Sequence, residues 1–259
     1  MKRNSFIIQT ALLLALSVAR VGAFALQGPY ASWMTPTLAY QQPNDIGGPM
    51  DINEEYRWNV PVVTYAFDQS FLEYFGSNGV AAVEQAIGIV NELPQASSID
   101  LANFPLDARL FNQFANAENQ YDLKTATLGL LLEQMGLADP IRYVFTMRRF
   151  DWNFFNQWLS NESGWPPGTI PEYIIERGFD PEELTTSHYV NGFLFSARLR
   201  VYGVMYSSVD QAEVIEFPLD IYPNAERFVP VAGAGWPPGE YCQGFTLDDA
   251  GGASLPAFE

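Results

Sequence analysis

The chain has 259 residues, 48% hydrophobic, 15% aromatic and 17% charged, with 30 acidic residues against 13 basic ones and a formal charge of −17. So many Phe, Tyr and Trp residues can bury ample apolar surface, which excludes an acidic disordered tail. The acidic excess excludes a nucleic-acid binder, because neutralising phosphates takes Lys and Arg, and it repels anionic membranes.

Lys2 and Arg3 open a basic start, Phe6 to Val18 is mostly apolar, and Ala23-Phe24-Ala25 places small residues at −3 and −1 of a cleavage point. This pattern predicts a secretory signal over residues 1–25, since its apolar run is shorter than the roughly 20 residues needed to span a bilayer. Cleavage there removes Lys2, Arg3 and Arg20 and leaves Lys124 as the only lysine. The expected product is exported, to the periplasm, cell surface or extracellular space, with no membrane span. Cys242 has no partner within the chain, so core packing holds the fold and the thiol is buried, free or paired with another chain.

Residues 26–59, rich in Pro, Gly, Gln and Asn, read as an extended wrapping segment. Val60 to Phe67 (VPVVTYAF) reads as a strand. Gly79 to Leu93 has helical apolar spacing, with Asn78 placed to cap it and Pro94 to stop it. Residues 95–121 read as loops with one short helical turn, and Asp122 to Gly136 as a second helix, capped by Asp122 and ended by Gly136. Ile141 to Met147 reads as a strand. Arg148 to Leu159 spaces Phe150, Phe154 and Trp158 as a third, aromatic-faced helix.

Beyond Gly164 the pattern is β: 172–176, 189–206 and 212–219 are strand-like, the last two joined by a turn at Ser207 to Asp210. The expected class is therefore α+β, with helices on a mixed sheet in the front (26–160) and mainly antiparallel β in the rear (161–259). Gly164-Trp165-Pro166-Pro167-Gly168 recurs as Gly235-Trp236-Pro237-Pro238-Gly239, each followed by Glu-Tyr (Tyr173, Tyr241). Each copy reads as a rigid turn feeding a strand. Trp165, Trp236, Tyr173 and Tyr241 are candidate binding residues, either as stacking platforms or as packing anchors.

Catalytic inventory is thin. His188 is the only histidine, so no three-His zinc site can form and any nucleophilic triad must use that one residue. No phosphate-binding glycine loop and no calcium-loop pattern occurs, and no cofactor is expected. Paired acids at Glu54-Glu55, Glu182-Glu183 and Asp248-Asp249 read as solvated faces. A paired-carboxylate hydrolase would need two acids about 5–10 Å apart across a cleft.

The Asp122 to Leu137 stretch resembles the active-site helix of matrixin-type metzincins, in which H-E-x-x-H-x-x-G-x-x-H ends in a glycine turn and a Met-turn follows. Aligned on Gly136, the first histidine position falls on Gly129, the general base on Leu130, the second histidine on Glu133 and the third on Asp139, with Met147 at the Met-turn. The resemblance implies a strand-then-helix catalytic scaffold that has lost its zinc chemistry, keeping only the carboxylates Glu133 and Asp139 at ligand positions. An ordinary buried helix with Gly136 as its C-cap accounts for the same residues.

Two functions are expected from this inventory. One is an exported, non-catalytic binding or assembly protein with a protein or glycan partner, or with itself. The other is a secreted carboxylate-dependent hydrolase acting on glycans. A flat, exposed aromatic patch favours the first, and a cleft with facing carboxylates, one with a raised pKa, favours the second.

Overall fold

A computed structural model describes residues 22–43, 45–54, 62–149, 174–202, 211–219, 230–233 and 235–255. The chain opens with strands β1 (Phe24–Gly28) and β2 (Gly48–Met50), which pair antiparallel through Leu26 and Met50. Residues 62–68 are extended, yet they pair with no strand among the described residues, so the predicted strand there has no ladder.

Helix α1 (Gln69–Asn91) starts ten residues before its predicted beginning, because Asp68 rather than Asn78 accepts the first free amide, that of Ser70, at 2.8 Å. It breaks at Gly76, whose φ of 59° is outside the helical range. Strand β3 (Arg109–Phe111) and the short helix α2 (Gln113–Ala117) occupy the predicted loop region.

Helix α3 (Leu123–Gln134) matches its expectation closely. The Asp122 carboxylate accepts the Thr125 amide at 2.7 Å, and Gly136 ends the helix with a left-handed φ of 104°. Thr125, Leu128, Gly129 and Leu132 form its buried face.

The next stretch departs from expectation. After β4 (Leu137–Ala138), Asp139 caps and Pro140 starts a single helical turn, α4 (Pro140–Tyr143), so only Phe145–Met147 (β5) of the predicted strand is extended. Strands β6 (Ile174–Glu176), β7 (Gly178–Phe179) and β8 (Tyr189–Val190) follow. A tight Asn191-Gly192 turn, both residues at positive φ, then leads into β9 (Phe193–Tyr202), which pairs along its length with β10 (Gln211–Pro218). The second Trp-Pro-Pro-Gly turn feeds β11 (Glu240–Cys242), and the chain ends in helix α5 (Leu247–Ala253). The predicted third helix from Phe150 onward, the first Trp-Pro-Pro-Gly copy and the Ser207–Asp210 turn lie outside the described residues.

The protein is therefore α+β, and every ladder among the described residues is antiparallel. β1 is the centre of its sheet, bonded to β2, β4 and β7. The two halves interlock: β1 pairs with β7, β3 with β11 and β5 with β6. One core accordingly joins Phe24, Leu128, Leu132 and Leu137 to Phe179, Val231, Cys242 and Phe245.

α5 lies directly against this core. Its sequence, LDDAGGA, is small enough to approach closely: a Cβ at Gly251 would stand 2.4 Å from Pro181, and one at Gly252 2.5 Å from Leu137. Asp248 and Asp249 are not on a solvated face as their pairing suggested; both are buried. Asp249 forms a capping box with Thr246 and also accepts the amides of Val231 and Ala232, so burial is matched by hydrogen bonds.

Candidate functional site

Several places could carry function, and the residues singled out from sequence fall in some of them. Trp236 is partly buried against the main core, with the Arg109 guanidinium 5.4 Å above its ring, and Arg109 pairs with Glu240 at 2.9 Å. Its indole nitrogen is shielded from solvent without a hydrogen-bond partner. Tyr241 lies half-buried on β11 opposite Leu110. On these contacts Trp236 is a packing anchor. Trp165 and Tyr173 lie outside the described residues.

Glu133 and Asp139, the carboxylates at the degenerate ligand positions, clasp a loop. The Gly233 amide donates to Glu133, and Gly233 packs directly on the Asp139 side chain. One Asp139 oxygen also accepts the Ile141 amide at 2.9 Å and the Arg142 amide at 3.3 Å. Burial pushes the Asp139 carboxyl up to about 6 despite these donors, and burial raises Glu133 as well. Leu130, at the base position, is 58% exposed, and Met147 is buried beside Leu199 and Ala212. Among the described residues no group of three His, Cys, Asp or Glu side chains could hold a metal ion.

His188 and Cys242 have separate structural partners. His188 Nε2 lies 2.9 Å from Glu176, which holds that carboxyl below its usual range, and the imidazole rests on the Phe145 ring. Cys242 is buried; its amide donates to Thr125 Oγ1, and burial pushes its thiol up.

A cavity of about 280 Å³ opens between the Leu38–Tyr40 turn, the α4–β5 stretch and the β9–β10 hairpin. Arg142 forms one wall, held by both oxygens of Asp45 and by the Ala39 carbonyl at 3.2 Å. Glu216 forms another, with Oε1 closed off from solvent and lacking a hydrogen-bond partner. Burial, with a smaller contribution from Asp139, keeps the Glu216 carboxyl well above its usual range. This shift favours the protonated form of the carboxyl, which can donate one hydrogen bond. A hydrolase would need a second, unengaged carboxylate facing it. Asp139 is engaged as a helix cap, and Glu213 faces Arg200 at 3.3 Å.

A further place is an aromatic ladder that begins in the extended 62–68 segment and continues onto α1. Ring centroids follow one another at 5.7 Å for Tyr65–Phe67, 5.3 Å for Phe67–Phe71, 4.9 Å for Phe71–Phe75 and 4.7 Å for Phe75–Tyr74. The rings meet edge to face at both ends, at 87° and 79°, and lie stacked or tilted between, at 27° and 40°; Phe67 and Phe71 are half-buried, while Tyr74 is 83% exposed, Val62 70% and Tyr65 55%. Exposed apolar residues are normal singly, whereas a contiguous patch of this kind marks an interaction site. The four-residue spacing of Phe67, Phe71 and Phe75 was the sequence signal for it, hidden because 62–67 alternates like a strand.

The ladder also sits in a one-signed stretch. Between Arg57 and Arg109 the chain has Asp68, Glu73, Glu84, Glu92, Asp100 and Asp107 and no Lys, Arg or His. The chain is thus an α+β protein with an aromatic cluster, in an acidic stretch, that starts on an extended segment without a ladder partner among the described residues. No protein family, no curated protein and no solved structure matches the chain.

Proposed function

We propose that this is an exported, non-catalytic binding protein whose docking face is the 62–75 ladder, and that its partner is an extended, positively charged polypeptide segment. The observation that carries this reading is the run of five rings in contact, with Tyr65, Tyr74 and Phe75 exposed, that starts on a segment whose backbone has no ladder partner among the described residues. Unpaired strand amides and carbonyls take an added strand, which gives affinity, while side-chain pockets and rings give specificity. Acids flanking the rings favour Lys and Arg on the incoming strand, and such cations also stack on Tyr and Phe faces. A glycan partner would use the rings but leave the backbone groups unused.

The test titrates the purified protein with a synthetic peptide that alternates lysine with valine and phenylalanine, and with its glutamate-for-lysine counterpart. The lysine peptide is expected to bind, with affinity falling as salt rises, and a Tyr65→Ser/Tyr74→Ser variant is expected to bind at least tenfold more weakly. Because that variant keeps every charge, equal binding by both proteins would mean non-specific attraction and would sink the reading. A second reading, the carboxylate-dependent glycan hydrolase, draws on Glu216 in its cavity, whose carboxyl burial pushes well above its usual range. Reproducible glycan turnover that disappears in Glu216→Gln would establish it instead.

A further inference from the structure

Four cleavage points in the N-terminal region satisfy the requirement for small or short side chains at −1 and −3: after Ala25 (with Ala23), after Ala23 (with Val21), after Ala19 (with Ser17) and after Ser17 (with Ala15), the last falling inside the apolar run Phe6 to Val18, which a leader keeps ahead of its cleavage point. The fold distinguishes the other three, because the chain from Gly22 onward is built into it.

Cleavage after Ala25 would cut through the central strand. It would remove Ala23, Phe24 and Ala25, which are 0%, 1% and 0% exposed, and with them the Phe24↔Phe179, Ala25↔Gly178 and Ala25↔Ala138 pairs. Phe24 is one of the largest fully buried side chains and stacks on Phe179 at 6.1 Å. Its loss would open a cavity at the junction of β1, β7 and α5.

Cleavage after Ala23 spares the strand but strips its anchor. The Ala23 amide donates to Asp248 Oδ1 at 3.0 Å, and the Gly22 carbonyl accepts the Ser187 hydroxyl at 3.0 Å. Asp248 and Ser187 are both buried, so neither could replace these partners with water. Gly22 is itself fitted to the site, since a Cβ there would stand 2.2 Å from Asp248 Oδ1.

From these contacts we infer that the leader is cut between Ala19 and Arg20, so that the mature chain begins at Arg20 and keeps Gly22, Ala23 and the whole of β1. The inference rests on the export reading and goes beyond it by fixing the processed bond. Arg20 is then retained, leaving 11 of the 13 basic residues against 30 acids.

The test expresses the full precursor in a secretory bacterial host and determines the N-terminus of the exported protein by intact mass and terminal sequencing. Arg20 is the expected first residue, and Ala19→Tyr is expected to leave precursor uncut. A mature chain beginning at Val18, Phe24 or Leu26 would overturn the inference while leaving export intact; a protein that stays uncut inside the cell would overturn both. An independent arm makes two chains without leaders, beginning at Arg20 and at Leu26. The first is expected to unfold in one cooperative transition and the second to lack it. Equal stability of the two chains would also overturn the inference.

Discussion

The amide of Ala23 donates to the buried carboxylate of Asp248, 225 positions further along the chain, so the start of the central strand is tied to the last helix. Asp248 Oδ2 accepts a second amide, that of Asn191 in the β8–β9 turn, at 2.6 Å, and the Asn191 side chain accepts the Asp248 amide in return. One side chain thus joins three elements that are distant in sequence. Replacing it with alanine leaves two buried N–H groups without acceptors. Each costs about 1–3 kcal/mol, so Asp248→Ala is expected to lose about 3 kcal/mol in urea unfolding. Asp248→Asn keeps one acceptor but sets an amide N–H against the other donor, and is expected to lose about 2 kcal/mol. A loss below about 0.5 kcal/mol in the alanine variant would show that water enters this site.

Arg142 and Asp45 give a second test. The Asp45 side chain is only 5% exposed, and the two Arg142 nitrogens grip its two oxygens, a bidentate geometry. Removing the arginine leaves a buried, uncompensated carboxylate, for which about 3–5 kcal/mol is typical. Because the Arg142 side chain is 40% exposed, Arg142→Ala is expected at the lower end, about 3 kcal/mol. Asp45→Ala with Arg142→Ala should cost less than the sum of the two singles, with a coupling of about 1–2 kcal/mol in a double-mutant cycle. Strict additivity would mean that the pair contributes nothing to the wall of the cavity.

Local signals made part of this fold legible. Asp122 and Gly136 bound α3 because a cap and a left-handed glycine act within one turn of chain. The β9–β10 strands show β-branched and aromatic runs that need no distant information. Other features depend on contacts that sequence does not display. Asp248 and Asp249 look like any acidic pair until Ala23, Asn191, Val231 and Ala232 are brought to them. The Asp139-Pro140 start of a helical turn was readable but was outweighed by the β-rich letters after it. Of the candidate sites, the two-tryptophan pattern pointed to Trp236, which packs under Arg109. The ladder was overlooked because its rings straddle an extended segment and a helix, and so follow neither a period of two nor of 3.6 throughout.

The buried acids set the pH response. Burial raises Asp139 from an ordinary 3.8 to about 6, so the folded protein holds that proton more tightly than the unfolded chain does. Such a group contributes stability that is fully present below about 4 and fades as pH rises through about 6. Glu216 and Asp248, pushed higher by burial, extend the decline to higher pH. Glu176, held low by His188, works in the opposite sense: its contribution is present above its ordinary value and is lost as pH falls. With Glu133 and Asp249 also raised by burial, and Asp51 and Asp68 lowered, five raised acids outweigh three lowered ones, and the acidic excess adds repulsion at high pH. The melting temperature is therefore expected to be higher at pH 5 than at pH 8. Asp139→Asn keeps a capping oxygen and should flatten the decline between pH 4 and 6. A melting temperature that rose steadily from pH 5 to 8 would contradict this account.

The ladder should behave as a local unit, largely independent of the main core. Its rings stack on one another, while α1 meets the core only further along, through Ala86, Ile89 and Val90 beyond the break at Gly76. Phe71 sits mid-ladder and makes two ring contacts, at 5.3 and 4.9 Å. Aromatic pairs are worth about 0.5–1.5 kcal/mol each, so Phe71→Ala should destabilise the ladder by about 2 kcal/mol. Amide exchange across residues 69–76 would then speed up by more than about tenfold. Exchange in α3 and β1 should not change, and global unfolding should shift by less than about 1 kcal/mol, because no core contact is lost. If Phe71→Ala instead lowered global stability by several kcal/mol, the rings would belong to the core and could not serve as a docking face. Adding the lysine peptide should slow exchange at 62–76 in the native protein, and should do so only weakly in Phe71→Ala.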